Sequence, residues 1–185
     1  MKSNFPHFNF PERLTIEVTN TCNLDCIMCP RHSAENNTGF IKLDMYRKII
    51  EEATHHLPIT LVPFFRGEPL LHPDIFEMIG IANKSGLGPI QLATNATLLN
   101  RNTSTKLIKS GLDFLSLSLD IDNKNYKATH LGGDYDKVIN NIDNFITIKK
   151  EMKVTKPEIQ VSTVETFDNK LGLRNFSEYW LERVD

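Results

Sequence analysis

The sequence has no excess of charge of either sign and no long apolar run, and each absence excludes a class of protein. Its 21 Lys and Arg residues are nearly balanced by 23 Asp and Glu residues, which leaves a formal net charge of −2. Such a chain offers no broad basic surface to neutralise the phosphates of nucleic acid. No apolar stretch approaches the roughly 20 residues of a membrane-spanning helix. Residues 1–13, the expected N-terminal lead-in, also lack the apolar segment of a signal peptide. We therefore expect a cytoplasmic protein that binds neither nucleic acid nor membrane.

Cysteine is scarce, and its distribution is the first indication of function. The chain has 3 cysteines, Cys22, Cys26 and Cys29, within one short segment. An odd, clustered set does not suit a disulfide framework and favours a metal site in a reducing compartment. The three cysteines, spaced CxxxCxxC, supply soft thiolate ligands, which suit an iron–sulfur cluster or zinc. A cubane cluster would keep one iron open, whereas zinc would need a fourth ligand, for which His32 follows Cys29.

Short apolar segments alternate with amphipathic ones along the chain. Strands are predicted at residues 14–19, 59–65, 90–94, 114–119 and 159–164, and helices at 43–54, 73–85, 103–109, 136–150 and 173–184. This alternation predicts parallel strands joined by helices, in either an open doubly wound sheet or part of a β/α barrel. In both architectures the chemistry gathers at the carboxyl ends of the strands. The cysteine segment and three further polar clusters, at 66–68, 94–95 and 120, lie at such ends.

The residues of these four clusters resemble the motifs of the radical SAM superfamily. The cysteine segment, Cys22-Asn-Leu-Asp-Cys26-Ile-Met-Cys29, has the spacing of that family's signature. Three further segments are similar to its GGEP, TNG and ribose-side motifs, and they are Arg66-Gly67-Glu68-Pro69, Thr94-Asn95-Ala96 and Ser116-Leu-Ser118-Leu-Asp120. The motifs occur in the family's order and cover nearly the whole chain. The residues within these motifs most resemble those of the branch that carries a C-terminal SPASM or Twitch extension.

The resemblance implies an α/β fold, a partial (β/α) barrel of the radical SAM type with about five of its six β/α units present. It also implies two cofactors, a 4Fe-4S cluster and S-adenosyl-L-methionine. In that family an electron from the cluster cleaves S-adenosylmethionine to a 5′-deoxyadenosyl radical, which abstracts hydrogen from the substrate. The implied protein is a radical SAM enzyme that acts on a peptide or a small polar molecule and receives electrons from a donor such as flavodoxin or ferredoxin. Residues 14–185 are expected to form the barrel. A sixth strand and an auxiliary-cluster domain would continue it in a longer polypeptide, and the alternative is a protein that has lost this extension.

The resemblance further implies a role for each matching residue. Cys22, Cys26 and Cys29 would ligate iron. Contacts to S-adenosyl-L-methionine would come from Met28, Gly67, Glu68, Asn95, Ser116, Ser118 and Asp120. Among these, Gly67 would let the backbone approach the cofactor closely, and Glu68 would accept hydrogen bonds from its ammonium group. The serines and Asn95 have a second interpretation, in which they satisfy backbone groups at strand ends and turns. No residue is assigned to catalysis.

Two residues depart from the motifs, and two alternative functions remain. Arg66 replaces the first glycine of GGEP, and we expect it to bind the cofactor carboxylate or an acidic substrate, or to form a salt bridge at the barrel rim. Ala96 replaces the glycine of TNG, which predicts a backbone that does not need a positive φ there. One alternative function is a non-catalytic Cys₃His zinc-binding interaction module completed by His32. The other is a degenerate iron–sulfur electron-transfer or sensor protein, which would not need Glu68, Asn95 or Asp120.

Overall fold

The structure, a computed structural model, describes residues 10–33, 37–166 and 169–184, with the side chains of residues 32 and 33 outside that description. It contains five strands, β1 (Arg13–Thr15), β2 (Thr60–Val62), β3 (Gln91–Thr94), β4 (Phe114–Ser118) and β5 (Glu158–Ser162). The α-helices are α1 (Leu43–Thr54), α2 (Ile75–Lys84), α3 (Arg101–Lys109), α4 (Asn123–Thr129), α5 (Tyr135–Glu151) and α6 (Leu173–Leu181). Short 3₁₀ turns occupy Pro30–Ser33, Pro69–Leu71 and Lys170–Gly172. No helix within these described ranges is long and apolar enough to cross a membrane.

The strands pair in parallel and follow one another in chain order. β1 pairs with β2, and β3, β4 and β5 form a three-stranded group. A parallel bridge between Leu61 and Ile90 joins the two groups, and there Leu61 N–H donates to the Pro89 carbonyl at 3.1 Å. A doubly wound sheet would reverse its strand order at a switch point. The unreversed order confirms the expected α/β fold, a partial barrel with five β/α units.

The two faces of the sheet differ in polarity because alternate residues of a strand point to opposite sides. On β4, Leu115 and Leu117 are fully buried in a core that also contains residues of α1, α2, α3 and α5. Ser116 and Ser118, on the opposite face of the same strand, are partly exposed. The strand ends therefore border a face that is polar and open, while the other face holds the helices.

The boundaries of the elements differ from the prediction mainly in the strands. The helix predicted at residues 43–54 is α1, with the same limits. β2 ends at Val62, directly before Pro63, because proline has no N–H to donate to a neighbouring strand. α4 was not predicted, since its seven residues are too few to show an apolar period. Asp122 starts this helix by accepting a hydrogen bond from Asn125 N–H at 2.8 Å.

The prediction for Ala96 is wrong, because its φ is +59°. This left-handed conformation costs a residue with a Cβ roughly 1–2 kcal/mol. Two hydrogen bonds hold it, one from Ala96 N–H to Thr94 Oγ1 at 3.2 Å and one from Asn141 Nδ2 to the Ala96 carbonyl at 2.9 Å. The methyl group is fully buried. The turn therefore needs the backbone conformation of the family's glycine, and the contacts of alanine offset its cost.

Substitutions at Ala96 test this conformation. We expect Ala96→Val to lower the free energy of unfolding by about 2 kcal/mol or more, because a β-branched side chain is strained at positive φ and does not fit the buried site. Ala96→Gly should stay within about 1 kcal/mol of the wild type, since relief of strain is offset by the lost methyl contact and a freer unfolded chain. Urea unfolding measures both variants, and a valine variant as stable as the wild type would contradict the assignment.

Candidate functional site

The cysteine segment follows β1 and is held by the last residue of α4 and the loop after it. Asp25 N–H donates to the Leu131 carbonyl and Ile27 N–H to the Thr129 carbonyl, both at 2.9 Å. Within the segment, Cys29 N–H donates to the Cys26 carbonyl at 3.0 Å and closes a tight turn. These backbone bonds place the segment against a loop that lies about 100 residues later in the sequence, judged from its numbering.

The cysteine thiols are partly buried and act on one another electrostatically. Burial raises the pKa of Cys22, although a hydrogen bond from Leu24 N–H to its Sγ at 3.5 Å works against this. Burial, with Cys22 and Cys29 adding to it, raises the pKa of Cys26 to about 11. In the part of the chain that the structure describes, no three His, Cys, Asp or Glu side chains are grouped closely enough to hold a metal ion. The donor chemistry nevertheless suits a soft metal, whose charge would favour the thiolates that burial disfavours.

Arg31 folds back over the cysteine segment. Its Nη2 donates to the Leu24 carbonyl and to Asp25 Oδ1, each at 3.1 Å. The guanidinium also lowers the pKa of Cys22 and Cys26, against the larger effect of burial. A cation is therefore fixed beside the sulfurs, where it favours negative charge on them.

Asn95 joins the end of β3 to the cysteine segment. Its Nδ2 donates to Asn23 Oδ1 at 3.0 Å and lies 3.9 Å from Cys22 Sγ, within reach of a hydrogen bond to sulfur. Its Oδ1 accepts from Thr97 N–H at 3.1 Å, and Asn23 Nδ2 donates in turn to Thr97 Oγ1 at 2.8 Å. Asn95 thus links two motifs that lie more than 70 positions apart in the sequence.

Glu68 is a buried carboxylate, 2% exposed, that ties β2 to β3. Its Oε1 accepts from Leu70 N–H at 3.1 Å and from Thr94 Oγ1 at 2.7 Å, and its Oε2 accepts from Asn95 N–H at 2.8 Å. Burial raises the pKa of Glu68, while these hydrogen bonds act in the opposite direction. A carboxylate has about four acceptor positions, so Oε2 keeps capacity for one further donor.

Gly67 lies against the backbone that leads into the cysteine segment. A Cβ at this position would stand 2.3 Å from the Thr19 carbonyl oxygen and 2.7 Å from that of Thr21. The next residue, Glu68, donates its N–H to the Thr21 carbonyl at 2.8 Å. The glycine is therefore required by the contact between two parts of this chain, in addition to any contact with a cofactor.

The ribose-side motif divides into open serines and a buried aspartate. Ser116 Oγ lies 3.1 Å from Ser162 Oγ of β5, and Ser118 pairs in register with the same Ser162. Asp120 is 3% exposed, with Oδ1 accepting from Ile121 N–H at 2.8 Å and from Asn169 Nδ2 at 3.1 Å. The aspartate thus fixes neighbouring loops, while the serines remain at the open face.

Arg66 forms a bidentate salt bridge with Glu17, which follows β1. The guanidinium Nε donates to Oε1 at 2.9 Å and Nη2 donates to Oε2 at 2.8 Å. This pairing lowers the pKa of Glu17. The side chains are 28% and 27% exposed, so the pair borders solvent. Of the roles expected for Arg66, the structure contains the salt bridge.

The site thus brings together Cys22, Glu68 and Asn95 by direct contacts, with Ser116 and Ser118 on the open face of the neighbouring strand. Met28 lies at the surface, 39% exposed. Sequence reasoning missed the supporting residues Glu17, Asn23, Thr129 and Asn169, and it named Thr94 only as part of a motif, without a role. The position of Asn23 between Cys22 and Cys26 was the available signal for one of them. His32, the fourth ligand of the zinc alternative, has its side chain outside the described residues.

The chain is similar to a known protein family and to several curated proteins. Residues 16–156 match the family described as the Radical SAM superfamily. A tungsten-containing aldehyde ferredoxin oxidoreductase cofactor-modifying protein of Pyrococcus furiosus is 29% identical over 170 residues, which are 91% of this chain and 48% of that protein. A probable GTP 3',8-cyclase of Methanocaldococcus jannaschii is 33% identical over 167 residues, 90% of this chain and 54% of the cyclase. This chain therefore spans about half the length of the curated relatives it matches.

Two solved structures show the same fold. The structure of anSMEcpe with bound AdoMet superposes with a TM-score of 0.74 at 21% identity, over 93% of this chain and 49% of that one. Streptococcus suis SuiB bound to the precursor peptide SuiA gives a TM-score of 0.68 at 21% identity, over 91% of this chain and 37% of SuiB. The five β/α units correspond to part of a larger protein in each.

Replacing Glu68 by Gln tests whether this carboxylate holds the ends of β2 and β3 together. We expect the free energy of unfolding to fall by about 1–3 kcal/mol, because the new NH₂ group cannot accept the bonds that Thr94, Leu70 or Asn95 donate. Glu51→Gln, at an exposed position of α1, should change it by less than about 0.5 kcal/mol. Urea unfolding of both variants gives the comparison, and equal effects would show that Glu68 does not hold the strand ends.

Proposed function

The chain belongs to the radical SAM superfamily, and from this membership we propose that it is the core of an enzyme with a 4Fe-4S cluster on Cys22, Cys26 and Cys29. S-adenosyl-L-methionine would bind beside the cluster. The observation that carries the proposal is the meeting of three separate motifs at the strand ends. Asn95 contacts Cys22 Sγ through its side chain, at 3.9 Å, and Glu68 Oε2 through its backbone N–H, at 2.8 Å.

The donor set suits a cluster with one iron that the protein does not ligate. Three thiolates are soft ligands of the kind that hold iron–sulfur clusters. A site that keeps one coordination position open is typical of a catalytic metal. When bound, the cluster would supply the electron that cleaves S-adenosylmethionine reductively, and the resulting 5′-deoxyadenosyl radical would abstract hydrogen from the substrate.

The chain's own residues would bind and orient the S-adenosylmethionine. Glu68 has acceptor capacity left on Oε2 and would bind an ammonium group, where a charge-assisted hydrogen bond is strong. Ser116 and Ser118 present hydroxyl groups on the open face and suit ribose hydroxyls. Met28 would contact the cofactor at the rim. We assign Asn95 and Asp120 a positioning role, because their hydrogen bonds go mainly to neighbouring loops.

We propose a peptide or a small polar molecule as the substrate. Serines line the open face of the sheet and the Arg66–Glu17 pair borders solvent, so these side chains can offer hydrogen bonds to such a ligand. The structure of SuiB was solved with a precursor peptide, and the relative from Methanocaldococcus jannaschii is named a probable GTP 3',8-cyclase. Both substrate classes therefore occur among similar proteins. Ile27, within the cysteine segment, is 64% exposed, which gives a donor such as flavodoxin or ferredoxin a surface close to the cluster.

Anaerobic reconstitution with iron and sulfide, followed by dithionite and S-adenosylmethionine, tests the proposed activity. We expect a brown protein that forms 5′-deoxyadenosine, and we expect Cys26→Ala to abolish product because one cluster ligand is lost. Thr147→Ala, at an exposed position of α5, is the control and should match the wild type. A colourless protein that carries about one zinc ion and forms no product would contradict the proposal and favour a zinc-binding module.

A further inference from the structure

Tyr126 is a buried polar residue whose hydroxyl group the fold leaves unsatisfied. It lies on α4, its side chain is 0% exposed, and its Oη has no hydrogen-bond partner among the described residues. Burying a hydroxyl group without a partner costs free energy, and native structures seldom retain such a group without a reason. The unsatisfied Oη therefore points to a partner that the polypeptide itself does not provide.

The ring of Tyr126 is held so that its hydroxyl group keeps one direction. The His130 ring stacks on it with centroids 4.5 Å apart and an interplanar angle of 2°, and the Tyr135 ring meets it edge-on at 5.6 Å. His130 is itself fixed, since its Nδ1 lies 2.8 Å from Thr129 Oγ1, which donates to Asp120 Oδ2 at 2.8 Å. The hydroxyl group cannot swing towards solvent without disrupting these contacts.

The hydroxyl group lies where the loop after α4 meets the cysteine segment. A Cβ added to Gly133 would stand 2.6 Å from Tyr126 Oη, so the hydroxyl adjoins this loop. The two preceding residues touch the cysteine segment, because Leu131 accepts from Asp25 N–H at 2.9 Å and a Cβ on Gly132 would lie 3.8 Å from the Asn23 carbonyl oxygen.

The backbone places Cys26 beside this loop, because its two neighbours, Asp25 and Ile27, donate their N–H groups to the carbonyls of Leu131 and Thr129, both at 2.9 Å. Burial, followed by the charge of Cys26, raises the pKa of Tyr126 to about 12, so the group stays protonated and able to donate. Asp134 also contributes, but its Oδ1 already accepts from Lys137 N–H at 3.1 Å and caps α5. Sulfur of the cysteine segment is thus the acceptor that the surroundings favour.

We propose that Tyr126 Oη donates a hydrogen bond to anionic sulfur of the bound cluster, at the Cys26 thiolate or a cluster sulfide, and thereby raises the reduction potential of the cluster. This inference rests on the proposed function. A donor to ligand sulfur stabilises the more negative, reduced form, and such contacts are among the means by which proteins set cluster potentials. In this role Tyr126 would act on the cluster and not on the substrate.

Tyr46 offers a matched control, since it is also a fully buried tyrosine but, unlike Tyr126, its hydroxyl group has a hydrogen-bond partner. Its Oη donates to the Met78 carbonyl at 3.1 Å. Without the cluster, Tyr126→Phe should unfold at the same urea concentration as the wild type or a higher one, because it removes an unsatisfied group. Tyr46→Phe should unfold at a lower concentration, because it removes a buried hydrogen bond.

The decisive experiment is a potentiometric titration of the reconstituted protein, followed by electron paramagnetic resonance. We expect Tyr126→Phe to lower the equilibrium constant for one-electron reduction three- to tenfold, a shift of about 30 to 60 mV. Tyr46→Phe should leave the potential unchanged. An exchangeable proton coupled to the reduced cluster, seen in H₂O but not D₂O and lost in Tyr126→Phe, would support the bond independently.

Three outcomes would overturn the inference. A Tyr126→Phe protein with a normal cluster and an unchanged reduction potential would show that the proposed hydrogen bond does not exist, while leaving the proposed function intact. A cluster-free Tyr126→Phe protein that is destabilised as much as Tyr46→Phe would show that the hydroxyl group has a structural partner. A wild-type protein that assembles no cluster would contradict the proposed function, and this inference with it.

Discussion

The buried carboxylate of Glu68 is the contact on which the site depends. It accepts hydrogen bonds from the turn that follows β2 and from the end of β3, so it keeps two neighbouring strand ends at a set distance. Asn95, which the same carboxylate binds through its backbone, then reaches Cys22. A charge in the interior is stable only when it is well hydrogen-bonded. The motif that was expected to bind a cofactor is therefore also the one that assembles the site.

Close backbone packing imposes a second constraint around this carboxylate. Gly67 leaves no room for a Cβ beside Thr19 and Thr21, and Ala96 adopts a positive φ directly after Asn95. Gly67 thus lets the end of β2 approach the cysteine segment more closely than a residue with a side chain would allow, and Ala96 turns the chain at the end of β3. On the other side, the loop after α4 holds the segment through Asp25 and Ile27. The cysteines are thus positioned by three parts of the chain that are distant in sequence.

The sequence predicted most of the fold because its signals are local. The apolar period of residues 43–54 gave the limits of α1, and the order of strands and helices indicated parallel pairing. Ala96 was misjudged because one of the two hydrogen bonds that hold its conformation comes from Asn141, a residue of α5 that no local pattern connects to it. The structural contacts of Glu68 and Asp120 were missed for the same reason. The unsatisfied hydroxyl group of Tyr126 has no signature in sequence, since burial and hydrogen bonding appear only in the folded chain.

The proposed function requires that the three cysteines at the strand ends hold a cluster whose remaining iron is open to S-adenosylmethionine. Electron paramagnetic resonance of the dithionite-reduced protein, recorded before and after S-adenosylmethionine is added, tests it most directly. We expect the signal of a reduced 4Fe-4S cluster whose g values change on addition, because the cofactor would bind at the cluster. A cluster signal that S-adenosylmethionine leaves unchanged, or a protein that contains zinc and gives no signal, would contradict it.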